Sequence, residues 1–410
     1  MARFLLIPHA PQGTLAHLAA CISVAGALRD RGHEVVFAYG GTRPELLDGP
    51  GFEWRPVLEA GGAMSSEWFE TDEHLEEILA SQLAAVEEVR PDACITSAGA
   101  GRLTAAVAGV PQLDLMHGLG NSTFGRRGRL RETIRGDLRR PSRAVKDLWL
   151  GLRPRRRTPS GEIWLRAWRR HTGMALDPIT KWTGHATAVA CTTTPLLDPT
   201  RGMPEHWRYV GPLSFGPALP VIPAGGRPGG ATSGEGERGA ERRPRVYVSQ
   251  GSTGDPELLR RSVAELARAG FQAIASTGGL CDPADLEGLG EGVEAADFRD
   301  TRAELRAADV AVIAGGHMTA MEALLAGTPT IVVARTISQA LSAKRAERLG
   351  TGIGLWPRVP RGSVASAASR VSSRERYRAR AAQVAGHLRE WNGGRGAAEL
   401  AEATAGVPVA

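Results

Sequence analysis

Short apolar runs and helix-periodic segments take turns along this chain. Arg3 to Pro8 is a strand-type run, followed by a loop containing Gly13, an apolar-periodic helix from His17 to Arg31, a Gly32–His33 turn and a second strand from Glu34 to Tyr39. Such a strand–helix–strand unit is expected to have parallel strands and a right-handed crossover. Pro217 to Arg243 has no apolar periodicity, is rich in Pro, Gly and charged residues, and reads as a linker. Beyond it the alternation resumes, with a strand from Arg245 to Ser249, a Gln250–Gly254 loop, a helix from Glu257 to Ala269, and strands from Ala273 to Ser276 and near Val293. Val310 to Ala314 is a further strand, Gly315-Gly316 lets the backbone turn, and Ala320 to Leu325 is helix-periodic. Arg374 to Trp391 reads as a long basic amphipathic helix, and no internal repeat is evident.

The turn after Val310–Ala314 carries the clearest chemistry. Thr319 and Glu322 have capping-box spacing, which predicts a helix N-terminus facing an open loop. Free N–H groups and the positive end of the helix dipole suit a phosphate there, and glycines let it approach the backbone. At the other end of the chain, His17 opens a helix on the side where parallel strands end and ligand crevices form. An imidazole titrates near neutrality, so His17 is a candidate general base. The alternative is a histidine that only satisfies a helix terminus.

Composition sets the class. At 410 residues the chain is long enough for two domains, and 42% hydrophobic with 23% charged residues is ordinary for a globular protein. No apolar run approaches the roughly 18 residues of a membrane span, and Phe4 to Ile7 is too short for a signal-peptide core, so a cytoplasmic protein is expected. Cys21, Cys94, Cys191 and Cys281 are scattered without a C-x-x-C; inert core thiols are expected, with no disulfide or metal site. The formal charge of +6 is locally concentrated, because Arg126 to Arg157 holds thirteen basic residues against three acidic ones. A solvated insertion accounts for this; an anionic ligand or lipid surface is the second reading and nucleic acid the last.

From Val293 to Leu355 the sequence resembles the C-terminal half of the nucleotide-sugar-dependent GT-B glycosyltransferases, of family 1 type as found in bacterial natural-product biosynthesis. There a GG-x-x-[ST]-x-x-E-A-L segment binds diphosphate and ribose, and an Asp-Gln pair near the next strand holds the donor sugar. The resemblance implies that Gly315, Gly316, His317, Met318 and Thr319 line the diphosphate, Glu322 holds the ribose, and Ser338 and Gln339 face the sugar. Ser252 and Thr253, in a G-[ST] loop like the family's second-domain opening, join the donor side; capping of the loop is the alternative. The family's His before the paired glycines is Ala314 here, and its Asp before Gln is Ser338. Loss of that carboxylate favours a donor sugar lacking a hydroxyl or carrying an amine.

The first half resembles the family's acceptor domain, in which a first-loop His lies sixteen residues before the His of an R-G-H-E-V sequence, as His17 and His33 do. By that match His17 is the catalytic base and Arg31–Val35 is structural. Where relatives place the Asp that steadies the base, this chain has Ser97; Asp114 is the candidate replacement, unless the acceptor needs little help, and His117 could also be a base.

The resulting expectation is an α/β protein of GT-B type, two Rossmann-like domains facing each other across a cleft. Residues 1–215 would bind the acceptor, with the basic insertion at about 126–170; 216–244 would be the linker, 245–385 the donor domain, and 386–410 a C-terminal helix crossing back to the first domain. The expected function is transfer, with inversion, of a sugar from a TDP- or UDP-linked donor to a small or medium-sized natural-product acceptor. The co-substrate is the sugar nucleotide itself; no other cofactor, no metal, no nucleic acid and no integral membrane segment are expected. Three rivals share the fold: a transferase acting on a phosphorylated or lipid-linked acceptor, a sugar-nucleotide epimerase, and a non-catalytic helper protein whose site has degenerated at Ala314, Ser97 and Ser338.

Overall fold

In the computed structural model, residues 1–11, 15–61, 68–117, 159–174, 185–199, 203–213, 243–252, 254–356 and 358–408 are described. Thr253, the arginine-rich stretch from Arg126 to Arg157 and nearly all of the linker lie outside them. The chain divides into two compact units, Met1–Leu219 with Asn392–Ala410, and Pro220–Trp391.

In the first unit the elements run β1 (Arg3–Ile7), α1 (Ala16–Asp30), β2 (Glu34–Tyr39), α2 (Glu45–Asp48), β3 (Glu53–Pro56), α3 (Asp72–Val89), β4 (Ala93–Thr96), α4 (Ala100–Ala108), β5 (Gln112–Met116), α5 (Pro159–Thr172), β6 (Ala188–Cys191) and β7 (Trp207–Tyr209). Their strands form one parallel sheet in the order β3-β2-β1-β4-β5-β6-β7, with Phe4 level with Val35 on one side and Ala93 on the other. Strands covered by helices on both faces must be apolar throughout, which is why Phe4-Leu5-Leu6-Ile7 and Ala93-Cys94-Ile95 are buried runs rather than alternating ones. The order reverses between β1 and β4. That is where a parallel sheet opens a crevice beyond its strand ends.

The second unit repeats the plan with β8 (Arg245–Ser249), α6 (Pro256–Arg268), β9 (Gln272–Ser276), α7 (Pro283–Glu287), β10 (Val293–Ala296), α8 (Thr301–Ala307), β11 (Val310–Ile313), α9 (His317–Ala326), β12 (Thr330–Val333), α10 (Ile337–Leu349), β13 (Gly352–Leu355), α11 (Ser363–Ser372) and α12 (Glu375–Arg389). Its parallel sheet has the order β10-β9-β8-β11-β12-β13, reversing between β8 and β11. Val246, Val248, Val310, Val312, Ile331 and Val333 fill the layer under α6 and α11, while Tyr247, Ala311, Ile313 and Val332 face α9 and α10.

The segment expected to be one C-terminal helix is two pieces: residues 386–389 finish α12, and α13 (Gly393–Thr404) begins after Asn392, whose side chain caps it. α13 packs on α1 within the first unit. Arg31 and His33 hold it there. The Arg31 guanidinium donates to both oxygens of Glu402 at 2.7 Å, and His33 Nε2 lies 2.8 Å from the same carboxylate. The backbone N–H of Ala2 meets His33 Nδ1 at 3.2 Å, so Nδ1 accepts and Nε2 carries the proton toward Glu402. Arg31 and His33 thus anchor a helix, a contact that the turn signature of the R-G-H-E-V sequence did not indicate.

Candidate active site

In the second unit the strand ends of β8 and β11 bring together the Gln250–Gly254 and Ala314–His317 loops. Gly315 has φ +93°, and a Cβ on it would lie 2.5 Å from Val332 Cγ1 and 3.1 Å from the carbonyl oxygen of Gln339. Only glycine therefore lets this turn sit against β12 and the first turn of α10. The capping expected from Thr319 and Glu322 is different in the structure. Gly316 is the N-cap of α9 and no side chain caps that end, Thr319 being already in the first turn. A capping box is present one helix later: Gln339 N–H donates to Thr336 Oγ1 at 3.3 Å, while Gln339 Oε1 accepts from the Thr336 N–H at 3.0 Å and the Arg335 N–H at 2.8 Å. The spacing alone fits both helices. At α9 the helix begins at His317, so Thr319 falls three residues past the N-cap, where its hydroxyl cannot serve as one.

Glu322 is 3% exposed and receives the guanidinium of Arg302, whose Nε stands 3.2 Å from Oε2 and 3.3 Å from Oε1. Arg302 escaped the sequence reading because α8, which carries it, meets α9 only in the folded unit. Gln250, which follows β8, is 3% exposed, and neither polar atom of its carboxamide has a hydrogen-bond partner among the described residues. Ser252 and His317 are half-buried and Ser338 is exposed, its hydroxyl 3.0 Å from Thr336 Oγ1. Gly315, Gly316, His317, Met318, Thr319 and Glu322 therefore share one helix terminus, and Gln339 reaches it through its backbone beside Gly315.

In the first unit, His17 is the second residue of α1 and lies beside two other imidazoles. Its ring centroid is 5.8 Å from that of His9 and 4.7 Å from that of His117. His9 comes two residues after β1; it is 3% exposed, stands edge-on to Trp68 at 4.3 Å, and places Nδ1 3.4 Å from Glu59 Oε1. Its backbone N–H donates to Ser97 Oγ at 3.2 Å. Gly99, with φ +62°, makes space for it, since a Cβ there would lie 2.4 Å from His9 Nδ1. The sequence offered a sign of His9, a polar residue at the end of the first parallel strand. It offered none of Glu59, fifty positions away in a loop after β3.

Asp114 lies in the middle of β5 and is fully buried. Arg102 grips it with two hydrogen bonds, 2.8 Å from Nε and 2.9 Å from Nη2, and Thr96 Oγ1 donates at 3.0 Å. Burial pushes its carboxyl upward while Arg102 and Thr96 pull the other way. These partners tie Asp114 into a buried network with Gln112, whose amide donates to Thr96 Oγ1 at 2.7 Å. His117 places Nδ1 3.3 Å from Thr192 Oγ1; burial, with Arg102 adding to it, pushes its pKa down to about 4, so the ring is neutral at physiological pH. Cys21, Cys94 and Cys191 are buried, and burial pushes each thiol up to about 12. Among the described residues no helix is long and apolar enough to cross a membrane.

No protein-family model matches the chain. It is 33% identical over 192 residues to the PGL/p-HBAD biosynthesis rhamnosyltransferase of Mycobacterium bovis, a match covering 47% of this chain and 40% of that protein. The chain thus spans less than half the length of that curated relative. Among solved structures, the glycosyltransferase of kitacinnamycin superposes with a TM-score of 0.70 at 21% identity, covering 99% of both chains. The Streptomyces sp. SF2575 glycosyltransferase, solved with thymidine diphosphate, superposes with a TM-score of 0.62 at 20% identity over 95% of this chain and 96% of its own. The two parallel-sheet units are those of the GT-B fold, and the sequence relatives are glycosyltransferases.

Proposed function

We propose that this chain is a nucleotide-sugar-dependent glycosyltransferase that moves a deoxysugar from a thymidine diphosphate donor to a hydroxyl of a small natural-product acceptor, with inversion. The observation that carries the reading is the uncapped N-terminus of α9, reached over a turn that only Gly315 can make and followed one turn later by the buried Glu322 carboxylate. Such a terminus stabilises the charge that develops on a departing diphosphate. Glu322 would accept from ribose hydroxyls while paired with Arg302, and the Gln339 amide would donate to the sugar. Ser338, exposed where the family carries a carboxylate, asks for fewer sugar hydroxyls, and the rhamnosyl group named for the mycobacterial relative is such a deoxysugar.

His17 would take the proton of the acceptor hydroxyl as its oxygen bonds to the anomeric carbon. The bond from that carbon to the diphosphate breaks, its electron pair leaving with the nucleotide. The test is a donor panel of TDP-rhamnose, TDP-glucose and UDP-glucose with phenolic and macrolide acceptors, read as acceptor-dependent release of nucleoside diphosphate. TDP-rhamnose should give the highest kcat/KM, and His17→Ala should lower turnover by roughly 10²–10⁴-fold with diphosphate affinity unchanged. UDP-glucose as the best donor would overturn the deoxysugar assignment, and undiminished turnover by His17→Ala would remove the base. A non-catalytic helper of the same fold is the second reading, favoured by the commitment of Gln339 to a helix cap; it predicts TDP binding without turnover on any acceptor.

A further inference from the structure

The carboxylate that relatives place beside the base is Ser97 here, and Ser97 Oγ receives the backbone N–H of His9. The imidazole that this bond fixes lies between a buried acid and His17. Glu59 Oε1 is 3.4 Å from His9 Nδ1, their side chains being 9% and 2% exposed, and the His9 ring meets that of His17 edge to face at 5.8 Å. Trp68 and the open space over Gly99 hold the ring in that position. A carboxylate oxygen 3.4 Å from Nδ1 favours the tautomer with the proton on that nitrogen, and His9 Nε2, buried without a hydrogen-bond partner among the described residues, is then an acceptor. We propose that Glu59 and His9 together replace the missing carboxylate, Glu59 orienting the His9 ring against His17 and its negative charge stabilising the cation that His17 becomes. Both are positioning residues, and the proposal rests on His17 being the base.

Around His9 and His17, among the described residues, the other titratable groups leave Glu59 as the source of that charge. Tyr39 and Cys21 are buried and held neutral by burial, His117 is neutral at physiological pH, and Asp114 is paired with the Arg102 guanidinium through two hydrogen bonds. Removing the negative charge therefore makes the His17 cation less stable and lowers its pKa.

The experiment is an NMR titration of the ring C–H signals of His17 in the full chain, assigned by their loss in His17→Ala. Glu59→Gln should lower the His17 pKa by about one unit, the size expected of one charge acting through a partly buried path at this range. Glu59→Ala should lower it by the same amount and decides the matter if Glu59→Gln fails to fold, while His9→Gln, which removes no charge, should lower it less. The acid limb of the kcat/KM profile should move down with it, and Glu59→Gln added to His17→Ala should cost no further turnover. A His17 pKa unmoved in a folded variant overturns the proposal. Turnover unaffected by His17→Ala, with the pKa shift present, overturns the base assignment and leaves the electrostatic link standing.

Discussion

A carboxylate as buried as Glu322 needs a counterion, and Arg302 supplies it at 3.2 Å. If the same carboxylate also accepts from ribose, Glu322→Ala should weaken TDP binding by about 1–3 kcal/mol in a calorimetric titration, the range for a charge-assisted hydrogen bond. Unchanged affinity would take Glu322 out of the site. His117 gives a pH signature of its own. Its folded pKa of about 4 lies below the ordinary value for a histidine, so between the two the unfolded chain binds a proton that the folded chain does not. Stability is therefore lost as pH falls from about 6.5 toward 4, and urea titrations should show that loss reduced in His117→Gln. At this scale the sequence showed residue types and spacing but not partners. Thr319 and Glu322 have the spacing of a capping box and do not form one, whereas Thr336 and Gln339 form one that went unread. Arg302, Glu59 and His9 gain their meaning from chain segments brought together by the sheet order, which no local pattern encodes.

Among elements, the strands were the most legible, because a strand buried on both faces must be a short apolar run and glycine or proline ends it. β2 and β8 have the boundaries that the apolar runs suggested, and α1 is shifted by one residue. Helix ends were less legible, as the break between α12 and α13 shows, since Gly393-Gly394 opens a helix rather than ending one. α13 belongs to the first unit through Arg31 and His33, whose hydrogen bonds hold the Glu402 carboxyl below the usual carboxylate range. A depressed acid contributes stability above its unfolded pKa and loses it as pH falls through the folded value. Replacing Glu402 with Gln should therefore lower the thermal midpoint by several degrees at neutral pH, with the difference from wild type shrinking in acid. A midpoint equal to that of wild type at pH 7 would mean that α13 is held by its apolar face alone.

For the molecule as a whole, the repeated sheet order, reversing once in each unit, provides two crevices of the same kind. One ends at His17 and the other at α9. The arginine-rich stretch adds a charge excess of ten, thirteen basic less three acidic residues, to the side of the chain proposed to take the acceptor. Its influence on an anionic acceptor would be screened over a Debye length of about 8 Å at physiological salt. Acceptor KM should then rise with ionic strength while donor KM changes little, and replacing Arg155, Arg156 and Arg157 by Gln should give the same rise at low salt. If neither treatment moves acceptor KM, the stretch is a solvated insertion.

Whether the terminus of α9 holds a nucleoside diphosphate can be seen in a crystal structure of the full chain soaked with TDP. The diphosphate should lie on the N–H groups of His317, Met318 and Thr319 with the Thr319 hydroxyl donating to it, and the ribose should lie on Glu322. TDP bound elsewhere, or a Glu322 that keeps only Arg302 while the nucleotide lies beyond its reach, would contradict the account.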